Sequence, residues 1–400
     1  MVGLMDWHGF YAFTFGVIAI TTLYATHWLF GKWRAYAVTL TCLSMIIIVG
    51  ECTLAPPQWN RIRGTVMVMT MKMISLAVDL DSDHIAYLPS LPELFGYMFH
   101  CATLIFGPWI SFYDYYRSLE FREDDKASMD LFDPLWLLSV LRALLLSTMC
   151  LVLSACGVHW FFEDVEDYGT WPVAFREAMG FRMSHYFVCF HGESSAVAAG
   201  VRRQSARKDE LNEWNLEIVR PARIELPRSL VEVVVYWNRP MHLFLKNYVF
   251  RRLLPFGGRF LAVLGTFAAS ALLHGLSFRL AAVLLSLGFY IHVEYVLREK
   301  LASIFSACIG ARECHSCAHK NTPSTHWWVW FINGVWTTVA IANLAYLGTM
   351  FDDDQPTDVE EKLGGASTGA TMQYTLKKWS ELGFASHWLV LAMFAFNYLL

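Results

Sequence analysis

Charge is what this chain has least of. Only 16% of its 400 residues are Asp, Glu, Lys or Arg, against about 25% in an ordinary soluble domain. The 31 basic and 35 acidic residues nearly cancel, leaving a formal net charge of -4. That balance points to neither nucleic acid nor an acidic partner. A basic leader and a small-residue cleavage site are also missing from the first twenty residues, so Met1–Ile20 reads as the start of a membrane helix that directs its own insertion. No repeat of fixed period is present, and the only biased tract is an acidic loop. Cysteine is sparse as well. Cys42, Cys52, Cys101, Cys150, Cys156 and Cys189 stand singly in apolar segments, which rules out a disulfide framework and suits small buried hydrophobes. Cys156, at the end of an apolar run, also suits S-acylation.

What the chain has instead is hydrocarbon. It is 56% hydrophobic and 16% aromatic, with the apolar residues in long blocks. That is the signature of an all-α, multi-pass membrane protein. Tyr11–Phe30, Ala35–Leu54, Leu94–Tyr113, Pro134–Phe162, Phe260–Phe278, Leu280–Val296, Trp327–Met350 and Ala385–Leu400 read as spans. Trp59–Asp81 carries Arg61, Arg63, Lys72 and Asp79, so it suits a helix buried among neighbours or lying at the interface. Phe181–Gly200 holds His185, His191 and Glu193, a polarity that belongs against protein or water. Ser229–Asn247 is amphipathic, and Arg298–Thr325 reads as a cysteine-bearing loop. About nine to eleven membrane helices are expected, some of them re-entrant.

The most informative residue is His274. From Leu261 to Phe278 eighteen residues pass without a formal charge, and a helix of that length rises about 27 Å, close to the thickness of the hydrocarbon core. A histidine in mid-span is costly without a partner or a cavity, so it is a functional candidate by default. Asn238 is the second. The following Arg239-Pro240 step favours a helix break, because proline disfavours the helical conformation before it. A neutral imidazole takes a proton from a hydroxyl, and an amide orients the base or donates to a developing oxyanion. The plainer reading is that His274 binds a carbonyl and joins helices. Ser270, one turn before His274, is a rival acyl carrier. His191 and Glu193 read as partners of neighbouring helices, with a proton relay in a transporter as the functional alternative. Cys308, Cys314, Cys317 and His319 have the softness of zinc ligands, but without a second spaced half no metal is assigned; a reduced loop or a local disulfide competes. The acidic Asp352–Asp354 run reads as a solvated face.

SALLHG at Ser270–Gly275, preceded by WNRP at Trp237–Pro240 with 36 positions between Asn238 and His274, resembles the membrane-bound O-acyltransferase family. Further blocks in the same order carry the likeness along most of the chain, among them Ile62–Asp81, Phe106–Phe112, Glu225–Val234, Asn247–Phe250, Leu344–Gly348 and Lys378–Trp388. They are similar to the branch that attaches palmitoleate to a serine of secreted Wnt proteins in the endoplasmic reticulum. The resemblance implies a single membrane-embedded domain over 1–400, missing a first membrane helix, with His274 and Asn238 as the catalytic pair. It implies fatty acyl-CoA, in particular palmitoleoyl-CoA, as co-substrate, no further cofactor, and a Wnt-type protein as acceptor. Trp237, Asn247, Tyr248 and Ser277 are then expected to line the substrate site, and a tunnel to admit two amphiphiles from opposite faces. Arg239 departs from the family pattern, in which a neutral residue is more familiar.

Overall fold

The computed structural model describes residues 7–29, 31–105, 107–119, 134–201, 216–314, 319–351 and 368–400. Cys317 and Asp352–Asp354 lie outside these residues. Among the described residues the regular structure is helical, and its one β-bridge is the isolated pair Ala307 and Asn321.

Among the described residues, six helices are long and apolar enough to cross a membrane: Gly9–Leu29, Arg34–Glu51, Pro134–Phe161, Arg239–Leu273, Phe278–Ile304 and Trp327–Phe351. A seventh crossing is formed if the bent pair α16 (Thr368–Glu381) and α17 (Ala385–Leu399), angled by 75°, counts as one span. The closing segment is therefore one arm of a bent pair rather than a span by itself. Two more helices have the length but not the hydropathy, α3 (Pro56–Asp81) and α9 (Thr170–Ala198). With them the architecture reaches the lower end of the expected nine to eleven.

The contrast between α3 and α7 (Pro134–Val152) shows how the bundle is built. Helix α7 leaves Leu138, Leu141, Leu145 and Val152 exposed. Such an apolar face is expected of a surface solvated by lipid. Helix α3 is enclosed on several sides, with Val66, Met69, Met73, Leu76 and Ala77 fully buried against α1 (Trp7–Leu29), α2 (Arg34–Ser44) and α4 (Leu91–Met98). Of the two settings open to it, it takes the one among neighbours. Its Lys72 is fully buried and donates to the Tyr97 carbonyl at 2.8 Å and to Thr103 Oγ1 at 2.9 Å. At its end, Asp81 accepts from Arg34 Nε and from the Ala35 N–H, both at 2.9 Å. A charge so enclosed persists because its hydrogen bonds are supplied by protein.

Three further sequence expectations change. Leu94–Tyr113 is not a span but three short pieces, α4, α5 (Cys101–Leu104) and α6 (Phe112–Leu119), separated by extended chain around Gly107-Pro108. Proline forces the residue before it out of the helical region, and a Cβ on Gly107 would fall 2.2 Å from the Ala102 carbonyl oxygen. Arg298 is not in a loop. It is the last buried charge of α14 (Phe278–Ile304), and the loop begins at Phe305. Finally, His274 is not in mid-span, because α13 (Arg251–Leu273) ends one residue before it. The expected break at Asn238 is present, between α11 (Leu230–Trp237) and α12 (Arg239–Phe244). Cys156 is exposed in the π-helical stretch Leu153–Gly157 that follows α7.

Candidate active site

The break at Asn238 comes from local chemistry. Pro240 occupies the first turn of α12, where a missing N–H costs nothing. Asn238 adopts an extended conformation and its Oδ1 accepts from the Met241 N–H at 3.0 Å, a side-chain N-cap. Breaking a helix away from bulk water strands backbone groups that must find partners. Here the segment 216–220 and helix α9 supply them. The Tyr236 carbonyl accepts from the Arg220 N–H at 3.1 Å, and the Arg239 N–H donates to the Ile218 carbonyl at 2.9 Å. His185, on α9, lies 2.9 Å from the Trp237 carbonyl through Nε2, which places the ring proton on that nitrogen. Its ring also stacks on the Trp237 indole, 4.3 Å away and 11° from parallel. Arg239 pairs with Glu217 of the same bracing segment.

The turn at His274 has a different construction. The His274 N–H donates to the Ser270 carbonyl at 3.2 Å and closes the last turn of α13. Gly275 follows with φ 94°, a left-handed C′ position that favours glycine. A Cβ there would lie 2.1 Å from Glu51 Oε1. That same oxygen accepts the Leu276 N–H at 3.0 Å and the Trp59 indole N–H at 2.8 Å. One carboxylate thus ties the turn to the end of the second span. Ser277 then caps α14 by accepting from the Leu280 N–H at 3.5 Å. Leu273 is buried with Met71, Trp109 and Phe244, which fixes the residue before the histidine. His274 itself remains only partly buried, and the Arg63 side chain lies beside the following Gly275.

The expected site residues are therefore distributed over two helix breaks. Asn238 Oδ1 is engaged by Met241 rather than by His274. His185 belongs to the Asn238 break, where it meets the Trp237 carbonyl. Trp237 stacks with Phe181 as well as His185. Tyr248 donates to Asp79 Oδ2 at 2.9 Å and packs against Trp109 and Phe244, the rings that also cover Leu273. Asn247 is exposed on the π-helical stretch Leu245–Phe250, and Ser277 acts as a helix cap. Glu193 accepts from Arg142 at 2.9 Å and from the Ile218 N–H at 3.4 Å, a bracing role rather than a proton relay. Three residues at the site went unassigned from sequence: Glu51, Arg63 and His185. A lone carboxylate closing the apolar run before Cys52 was the available signal for Glu51.

Residues 13–316 match the membrane-bound O-acyltransferase family. The chain belongs to that family. This membrane-bound O-acyltransferase is 40% identical over 382 residues to the protein-serine O-palmitoleoyltransferase porcupine of Mus musculus, covering 91% of this chain and 78% of the mouse protein. It is 40% identical over 385 residues to the Homo sapiens protein of the same name, again covering 91% and 78%. The Anopheles gambiae protein of that name is 32% identical over 414 residues, covering 98% of this chain and 81% of its own length. The O-acyltransferase is thus a multi-pass membrane enzyme.

Proposed function

We propose that this enzyme transfers a palmitoleoyl group from acyl-CoA to a serine hydroxyl of a secreted Wnt-type protein, in the endoplasmic reticulum membrane. The observation that carries this reading is the 40% identity over 91% of the chain to a protein-serine O-palmitoleoyltransferase.

His274 is the general base. The acceptor hydroxyl attacks the thioester carbonyl while its proton passes to the imidazole. The new C–O bond forms, the C–S bond breaks, and CoA leaves as thiolate and takes up the proton. A thiolate leaves readily, so no acyl-enzyme is needed and Ser270 carries no acyl group. Acyl-CoA is the co-substrate, and no further cofactor enters. The partial accessibility of His274 at a turn supports this role, since a ring inside a regular helix has less room to meet two substrates. Asn238 shapes the opposing break, and its amide nitrogen remains to orient the donor or the acceptor. His185 stacks on Trp237, the residue that precedes that break. Holding both reactants at attack distance supplies much of the rate, since effective molarity is worth several kcal/mol.

The test uses purified enzyme, labelled palmitoleoyl-CoA and a serine-bearing peptide of a Wnt-type protein, with lysophospholipid as competing acceptor. Label on the peptide, lost with a serine-to-alanine peptide, is the expected result. Label on the lysophospholipid alone would make this a lipid acyltransferase, and label on neither would remove the activity.

A further inference from the structure

The 22 residues from Phe305 to His326 join α14 to α15 (Trp327–Gly348). Connections of that length without regular structure are uncommon in compact proteins and tend to be functional. The hydrophobic core beneath the loop is small, with only Ala302, Ala307, Cys308, Ile309 and Val329 buried in it. Yet the first part of the loop is held by an unusual number of side chains. The Cys308 carbonyl accepts from Arg228 Nη2 at 2.8 Å and from Asn333 Nδ2 at 3.1 Å. Fully buried Arg298 donates to the Ile309 carbonyl at 2.8 Å and the Gly310 carbonyl at 3.1 Å. Ser229 Oγ donates to the Ala311 carbonyl at 2.8 Å. Farther on, Arg223 pairs with Glu313 at 3.3 Å, next to Cys314.

This scaffold brings three soft ligands together. The Sγ atoms of Cys308 and Cys314 and a ring nitrogen of His319 all lie within 4.8 Å of one another. Cys314 Sγ and His319 Nδ1 are 4.0 Å apart. A tetrahedral zinc ion with Zn–S near 2.3 Å and Zn–N near 2.0 Å sets its ligand atoms about 3.4–3.8 Å apart. The triangle is within about 1 Å of that spacing, and Cys308 is already fixed at its base. A Cys308–Cys314 disulfide would need the sulfurs about 2.05 Å apart, and it would give His319 no part in the cluster.

We propose that Cys308, Cys314 and His319 bind a zinc ion that staples this loop, a water completing its tetrahedral shell. Binding displaces the protons of the two thiols, and the free energy of coordination becomes stability of the loop. The loop's anchors Arg228 and Ser229 immediately precede α11, the helix that ends at Trp237 and the Asn238 break. The metal would therefore hold the far end of the element that presents half of the active site, without touching substrate.

The experiment is metal analysis of the full-length protein, purified in detergent with no metal added. About one zinc per chain is expected, lost in Cys308→Ser, Cys314→Ser and His319→Ala. Cobalt(II) exchanged into the wild type should give thiolate-to-metal charge-transfer bands that vanish when zinc is returned. This measurement needs no variant, so a misfolded mutant does not decide the matter. Wild-type protein that carries no zinc and takes up no cobalt overturns the site. So does stoichiometric zinc retained by the Cys308→Ser/Cys314→Ser double variant, or a Cys308–Cys314 disulfide found by mass spectrometry of the native protein. None of these readouts depends on acyl transfer, so the outcome is separate from that of the proposed reaction.

Discussion

The two helix breaks that carry the candidate site residues are built on opposite plans. The break at Asn238 is braced from several directions: by its own side-chain cap, by the segment 216–220, and by His185 on α9. The turn at His274 hangs on a glycine and one carboxylate oxygen. The difference teaches where each kind of residue does its work. Proline and asparagine encode a break locally, and neighbours then satisfy what it leaves open. A histidine at the end of an apolar helix needs a distant group to set its direction.

The largest effect should come from His274→Ala. If the imidazole is the base, acyl transfer falls about 10²–10⁴-fold while expression and thermal unfolding in detergent stay as in the wild type. Turnover retained by a well-folded variant would leave both breaks structural. Next is Gly275→Ala. The left-handed φ and the 2.1 Å approach to Glu51 predict a loss of about 1–3 kcal/mol in stability, read as a lowered unfolding temperature, together with slower transfer. Wild-type values for both would mean the turn is not fastened as described.

Glu51 separates charge from hydrogen bonding. Glu51→Gln keeps an oxygen that can accept from Leu276 and Trp59 and should stay close to wild type. Glu51→Ala strands the buried Trp59 indole N–H and should cost about 1–3 kcal/mol. Equal losses in thermal unfolding would show that the carboxylate's charge, not its oxygen, holds the turn. Asn238 gives the converse test on the braced break. Asn238→Asp keeps the cap on Met241, whereas Asn238→Ala costs about 0.5–2 kcal/mol of helix stability. If the amide acts on substrate, both variants lose kcat; if only the cap matters, Asn238→Asp retains it. The smallest effect is assigned to Ser277→Ala. Its capping bond is long, at 3.5 Å, and the loss should stay under about 1 kcal/mol with kcat unchanged.

The fold class was legible because membrane hydropathy is a property of composition along a window. Spans such as α7 and α14 need no knowledge of their neighbours to be recognised. The Asn238 break was legible for a similar reason, since Pro240 acts on the backbone within two residues. His274 was misplaced by the same hydropathy logic. LAVLGTFAASALLHGLSF reads as one uninterrupted apolar helix, and Gly275 carries no local signal that its φ will turn positive. Leu94–Tyr113 failed likewise, read as continuous until Gly107 had to pass against the Ala102 backbone. Arg298 looked like the start of a loop because a charge after an apolar run usually marks the surface. Its acceptors, the carbonyls of Arg228, Ile309 and Gly310, the Glu294 carboxylate and the Asn333 amide, come from four separate stretches of chain.

By itself the sequence determined that this is an all-helical membrane protein, which segments carry polar groups into the bilayer, and which histidine and asparagine are candidates for chemistry. These follow from residue type and spacing along a single helix. Only the tertiary structure decided where His274 sits and what surrounds it. The carboxylate that fastens its turn is 225 residues from Leu276, the N–H it receives. Contacts across such a separation arise from packing whole helices against one another, and no local pattern of residues records them.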